Sequence, residues 1–140
     1  MTLGNLGLLA ARAGNVERGR SLLGEALALF DETDDGPGQL GMRLNLGNLA
    51  ADAGEPEAAR ELLEASREMA EQQRHVRCAG WATLLLAELA IADGDAERAA
   101  GLLDAALGHL RPLGDRWGIA RCLELDQAAA KRSLSRSRQG

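Results

Sequence analysis

Three triplets, Ala13-Gly14-Asn15, Ala53-Gly54-Glu55 and Asp93-Gly94-Asp95, recur at forty-residue intervals along this chain. A fixed period of that length is the mark of one supersecondary unit repeated and stacked on its own copies. The flanking residues fall into the same register. Ahead of each Gly stand Leu6, Leu46 or Leu86, then Leu9, Leu49 or Leu89, then Ala10, Ala50 or Ala90, the i, i+3, i+4 spacing of one helical face. Behind it come Leu22-Leu23, Leu62-Leu63 and Leu102-Leu103, followed by Ala26, Ser66 and Ala106.

Each glycine suits a helix stop, because a residue of positive φ commonly ends a helix and Gly takes that conformation without a Cβ clash. Asn15 and Asp95 are placed to cap the helix that follows, and Pro56 suits a first helical turn. Glu17, Glu57 and Glu97 lie where the helix dipole favours negative charge. These signals predict A-type helices at 2–13, 38–53, 76–93 and 116–131, and B-type helices at 16–32, 56–73 and 96–111. Asp34-Asp35-Gly36-Pro37-Gly38 and Pro112-Leu113-Gly114-Asp115 read as the loops between units. One domain over 1–131 is expected, with repeats at 1–35, 36–75 and 76–114 and a final capping helix at 116–131.

Composition agrees with an all-α reading. Of the 140 residues 46% are hydrophobic, but Ala and Leu carry that fraction and the β-branched residues favoured in strands are scarce. The aromatic residues are only Phe30, Trp81 and Trp117, so the core must be knitted from Leu and Ala. A net charge of −5 and the lack of stacking platforms argue against a nucleic-acid partner, which needs a basic face. Two cysteines, Cys78 and Cys122, with no signal-peptide pattern and no apolar run of spanning length, predict a reduced cytoplasmic chain with no membrane partner. Basic residues are almost all Arg, with Lys131 the sole Lys. That bias, with the excess of Ala and Gly, points to a bacterial genome rich in GC.

The register resembles the tetratricopeptide repeat. Leu6-Gly7 and Leu46-Gly47 reproduce its Leu-Gly pair in helix A, and Leu86-Ala87 nearly does. Gly19, Ala59 and Ala99 fill its small position in helix B, and Leu23, Leu63 and Leu103 its large one. The chain departs from the family at the early aromatic of helix A (Leu3, Arg43 and Thr83), at its later Tyr (Ala10, Ala50 and Ala90) and at the terminal Pro of helix B (Asp31, Glu71 and Arg111). The long period, and the phrase over 113–120, resemble the repeats at the C-terminal end of large bacterial signal-responsive ATPase transcriptional regulators. The chain carries no Walker A sequence and no DNA-binding domain, so this likeness implies a fragment or a stand-alone relative.

The resemblance implies a right-handed superhelical solenoid of about seven antiparallel helices, three and a half hairpins. It also implies a concave groove, lined by the A-type helices, that takes a peptide or a partner helix. Carried across position by position, that groove comprises Leu44, Asn48, Trp81, Leu84, Glu88 and Ile91, continued by Arg121 and Glu124, with Leu8, Ala11 and Ala51 alongside. The third A-type helix is apolar nearly all round, which a one-sided helix does not require, so it is either buried on two sides or carries a binding surface. The function expected is a non-enzymatic protein-interaction or scaffold module. The alternative is a sensor that closes around Trp81 and Ile91 on a small apolar effector.

Other motifs carry less. His75, Cys78, His109 and Cys122 lack the tight paired spacing of a structural zinc site, and no cofactor is expected. No nucleophile motif, glycine-rich phosphate loop or distinct carboxylate pair suggests catalysis. The basic, Ser-rich stretch 132–140 reads as a frayed, disordered tail. Polar residues on the last helix make it a solenoid cap, with Asp126 where Leu46 and Leu86 stood. The first repeat has no such cap, so its apolar edge at Leu3, Leu6 and Leu9 is expected to associate with a second copy as a homodimer.

Overall fold

The computed structural model describes residues 14–139. Within them lie six helices and no strand: α1 (Val16–Thr33), α2 (Gly36–Asp52), α3 (Pro56–Gln72), α4 (Val76–Ala92), α5 (Ala96–Leu113) and α6 (Arg116–Gln139). The helix expected over 2–13, and with it the self-association edge at Leu3, Leu6 and Leu9, falls outside the described residues.

Local chemistry explains where the helices begin. The Asn15 side chain accepts a hydrogen bond from the Arg18 N–H at 3.0 Å, Asp35 from Gly38 at 3.0 Å, Asp95 from Arg98 at 3.1 Å and Asp115 from Gly118 at 3.1 Å. Each satisfies one of the backbone donors that a helix start leaves unpaired. Before α4 the capping atom is His75 Nδ1, which accepts from the Cys78 N–H at 3.3 Å. Glu55 makes no such bond, and there Pro56 opens the helix.

The turns alternate in type. Gly14, Gly54 and Gly94, with φ of 90°, 78° and 80°, lead into α1, α3 and α5, whereas Asp34 and Arg74, with φ of 54° and 55°, follow α1 and α3. Left-handed backbone costs a side-chain-bearing residue about 1 kcal/mol. A Cβ on Gly54 would touch nothing, so only the backbone preference is at stake. Gly54→Ala is therefore expected to lower stability by about 1 kcal/mol, and Arg74→Gly to raise it by a few tenths, because the added freedom of the unfolded Gly offsets part of the gain. Thermal melts of the two variants should move in opposite directions.

Three boundaries differ by two residues or more from the sequence expectation. The stretch over 34–38, expected as a loop, is helical from Gly36, because Asp35 caps there and Pro37 fits a first helical turn. The helix expected to end at 111 runs through Pro112 to Leu113, where Gly114 turns left-handed and its N–H bonds the carbonyls of Leu110 and Arg111. The last helix does not fray after 131 but continues to Gln139. Arg132 Nη1 donates to the carbonyl of Ile91, and Arg136 Nη1 to that of Gly94, each at 2.9 Å. Carbonyls at the end of a helix are under-satisfied and carry partial negative charge, so the two guanidiniums fasten the tail to the C-terminus of α4.

Packing is sequential, each helix against the next, with additional contacts of α2 with α4 and of α4 with α6. Among the described residues the backbones of the B-type helices α1, α3 and α5 stay further apart than those of the A-type helices, and α3 and α5 meet only through long side chains such as Leu102 and Arg98. The largest buried cluster joins Leu84, Ala87, Ala90 and Ile91 of α4 to Ala99, Leu103, Ala106 and Leu110 of α5 and to Cys122 and Leu125 of α6. A second cluster joins Ala50 of α2, Ala59 and Leu63 of α3, and Leu86 and Leu89 of α4. Two buried hydroxyls are satisfied within their own helices: Ser66 Oγ donates to the Leu62 carbonyl at 2.8 Å and Thr83 Oγ1 to that of Ala79 at 2.7 Å.

Exposed ion pairs tie successive hairpins together. Arg20 pairs with Glu55 and, one period later, Arg60 pairs with Asp93. Arg98 reaches back to Glu64 at 3.5 Å. Each is worth at most about 1 kcal/mol at such solvated positions.

Candidate functional site

Because α4 packs against both α5 and α6, its apolar circumference divides by neighbour. Leu84 and Ile91 face into the core, with relative exposures of 0% and 7%. Burial removes these two from the groove positions that the sequence suggested, since a partner cannot reach them. The side of α4 left half-open carries Trp81, Leu85 and Glu88, at i, i+4 and i+7. On α2 Leu44 and Asn48 are likewise half-buried, and Leu44, Ala51 and Leu85 all pack on the second cluster.

The same side of α6 carries Trp117, Arg121 and Glu124, again at i, i+4 and i+7 and all exposed. Three positions inferred from sequence meet here: Arg121 Nε donates to Glu88 Oε1 at 2.7 Å, and its Nη1 to Glu124 Oε2 at 3.1 Å. The hydrogen bond to Glu88, against the opposing effect of burial, holds the guanidinium more firmly protonated than usual. Arg121 thus bridges two helices and leaves Glu124, two-thirds exposed at 66%, as the outward charge.

At the helix starts the chain's two tryptophans line one open depression with Arg77, Asp115 and Arg116. Asp115 organises it. Besides capping α6, its carboxylate accepts from Trp81 Nε1 at 2.9 Å and pairs with Arg77 Nε at 3.5 Å. Burial alone would raise the pKa of this carboxyl, which is 11% exposed. The Gly118 N–H, the Trp81 indole and Arg77 outweigh that effect and lower its pKa below the ordinary 3.8. Trp81 is therefore anchored to its own fold, whereas Trp117 is 84% exposed and free of the core. Sequence reasoning missed Asp115, Leu85 and Trp117. The capping position of Asp115, equivalent to that of His75 one period earlier, was the available signal.

The remaining candidates stay apart. His75 serves as a cap. Cys78 is half-buried and Cys122 buried, both as free thiols, and burial pushes each thiol up, with Arg77 and Arg111 pulling part of that shift back. Among the described residues no three His, Cys, Asp or Glu side chains converge as a metal site, and no helix is long and apolar enough to cross a membrane.

Paired helices stacked in register, with charged and aromatic residues presented along the A-type helices, define a helical-repeat module. The tetratricopeptide repeat family matches residues 1–72, and the chain belongs to that family. Among curated proteins no relative matches the chain.

Proposed function

We propose that the chain is a protein-interaction module that holds a peptide or partner helix along Leu44, Asn48, Trp81, Glu88, Arg121 and Glu124, with Trp117 at one end. The observation that carries this reading is Trp117, a large apolar ring at 84% exposure on the helix side that also presents Arg121 and Glu124. An exposed Trp is costly to keep in water and is the residue most enriched among binding hot spots. Contacts of α2 with α4 and of α4 with α6, closer in backbone than any approach of the B-type helices to one another, support an array that curves with its A-type helices inside. A superhelical solenoid follows from continuing that curvature.

The forty-residue period and the phrase over 113–120 support a place as the partner-binding part of a larger regulator. The small-effector reading has less to stand on. Ile91 is in the core, and the hollow beside it measures about 80 Å³, below the roughly 300–1,000 Å³ of small-molecule sites. The roomier depression at Trp81, about 740 Å³, is a wide-open surface that would bury little of a small ligand.

Capture from a host lysate by immobilised chain, compared among variants, tests the proposal. Trp117→Ala and Arg121→Ala are expected to lose the captured protein while melting as the wild type does. Capture that persists in both variants would show that this face is not the one used.

A further inference from the structure

On its outer side α6 repeats a face that is elsewhere occupied. One period earlier, Gly80, Thr83, Ala87 and Ala90 of α4 are all buried, and they lie against α5. The approach is close enough that a Cβ at Gly80 would lie 2.7 Å from Leu110 Cδ2. The equivalent residues of α6 are Ala120, Leu123, Gln127 and Ala130, and Leu134 extends the line one turn further. All five are exposed, Leu123 at 48% and Leu134 at 62%. They run at i, i+3, i+7, i+10 and i+14, a continuous stripe opposite the buried Gly118, Cys122 and Leu125.

We infer that this stripe is a two-fold interface with a second copy of the chain, α6 lying antiparallel on α6 and the axis passing through Gln127. The order Ala, Leu, Gln, Ala, Leu is complementary to its own reverse. With Gln127 opposite Gln127, Leu134 of one copy meets Ala120 of the other and Leu123 meets Ala130, so that large faces small at every level on either side of the centre. The central amides, each a donor and an acceptor, bond one another. Self-complementarity of this kind is what a closed two-fold contact requires. Charge agrees: Glu124, which also accepts from Arg121 of its own chain, and Lys131 lie on the same flank of the stripe, and antiparallel pairing brings Lys131 of each copy to the Glu124 of the other, twice over. The contact is small, so the dimer is expected to be weak and concentration-dependent.

Sedimentation of the full chain from micromolar to millimolar concentration, with site-directed cross-linking, tests the interface. The wild type is expected to approach dimer mass. Leu123→Glu combined with Leu134→Glu should weaken dimerisation by about tenfold or more, with helicity and melting unchanged because neither side chain belongs to a buried cluster. Gln127→Cys should give a disulfide-linked dimer on mild oxidation, while the wild type and Gly101→Cys, which places a thiol on the exposed side of α5, should not. Glu124→Lys and Lys131→Glu should each weaken the dimer, and their combination should restore it. A monomer at every concentration overturns the inference. So does a dimer that tolerates the double Glu variant or fails to cross-link at 127, which would place self-association on another face.

Discussion

Leu110→Ala is expected to lower the free energy of unfolding by about 2–5 kcal/mol, the range for truncating a buried Leu, with a value in the upper half of that range. Leu110 is fully buried at 0% exposure and fills the space left by glycines on two other helices. A Cβ at Gly80 of α4 or at Gly118 of α6 would lie 2.7 Å from one of its methyl groups. Neighbours without side chains cannot relax into the vacated volume, so the cavity persists and its cost adds to the lost transfer energy. Leu63, also at 0% exposure, approaches a single glycine in this way, Gly47 at 2.8 Å, so Leu63→Ala should lie lower in the same range. Urea denaturation of both variants measures the difference. A second arm uses the glycine: Gly80→Ala should destabilise the wild type by overpacking yet recover stability in the Leu110→Ala background. If Gly80→Ala has the same effect in both, Leu110 does not fill the glycine gap.

Asp115→Ala is expected to cost about 2–3 kcal/mol, combining the loss of a helix cap with an indole N–H left without its acceptor. Asp115→Asn should recover most of this, because Asn also caps and also accepts, while changing the response to acid. The folded protein holds the Asp115 carboxyl below its ordinary value of 3.8. Its stabilising contribution is therefore complete above the unfolded pKa and is lost as pH falls from there through the lower, folded value. Melting temperature followed from neutrality down through this acidic window should fall less steeply for Asp115→Asn than for the wild type. Equal slopes would show that the titration of Asp115 is not coupled to folding. The indole bond makes Trp81 a reporter, since its fluorescence should shift in Asp115→Ala, whereas Trp117, already in water, should contribute the same signal in both.

Much of this architecture was legible because its cause is local. The left-handed turns at Gly54 and Gly94, the caps at Asn15 and Asp95 and the Leu and Ala spacing of each helix depend on residues within one or two turns of each other. The forty-residue phase then carried them along the chain. The meeting of Glu88 with Arg121 was reached indirectly, through the likeness of their positions to a family groove, since the two residues are far apart in sequence. The extension of α6 to Gln139 was not legible. Arg132 and Arg136 look like tail charges until the carbonyls of Ile91 and Gly94, some forty residues away, are brought beside them.

The sequence by itself determined the repeating unit, the all-helical class and the recurring Leu and Ala of the helix faces, because periodicity, capping and helix propensity are properties of short segments. Only the tertiary structure decided which side of α4 is core and which is surface. The run Thr83-Leu84-Leu85-Leu86 is apolar in every direction, and a helix with no polar stripe has no preferred orientation until its neighbours take their places. Packing α5 on one side and α6 on another buried Leu84 and Ile91, left Trp81, Leu85 and Glu88 half-open, and fixed the Trp81 indole against Asp115.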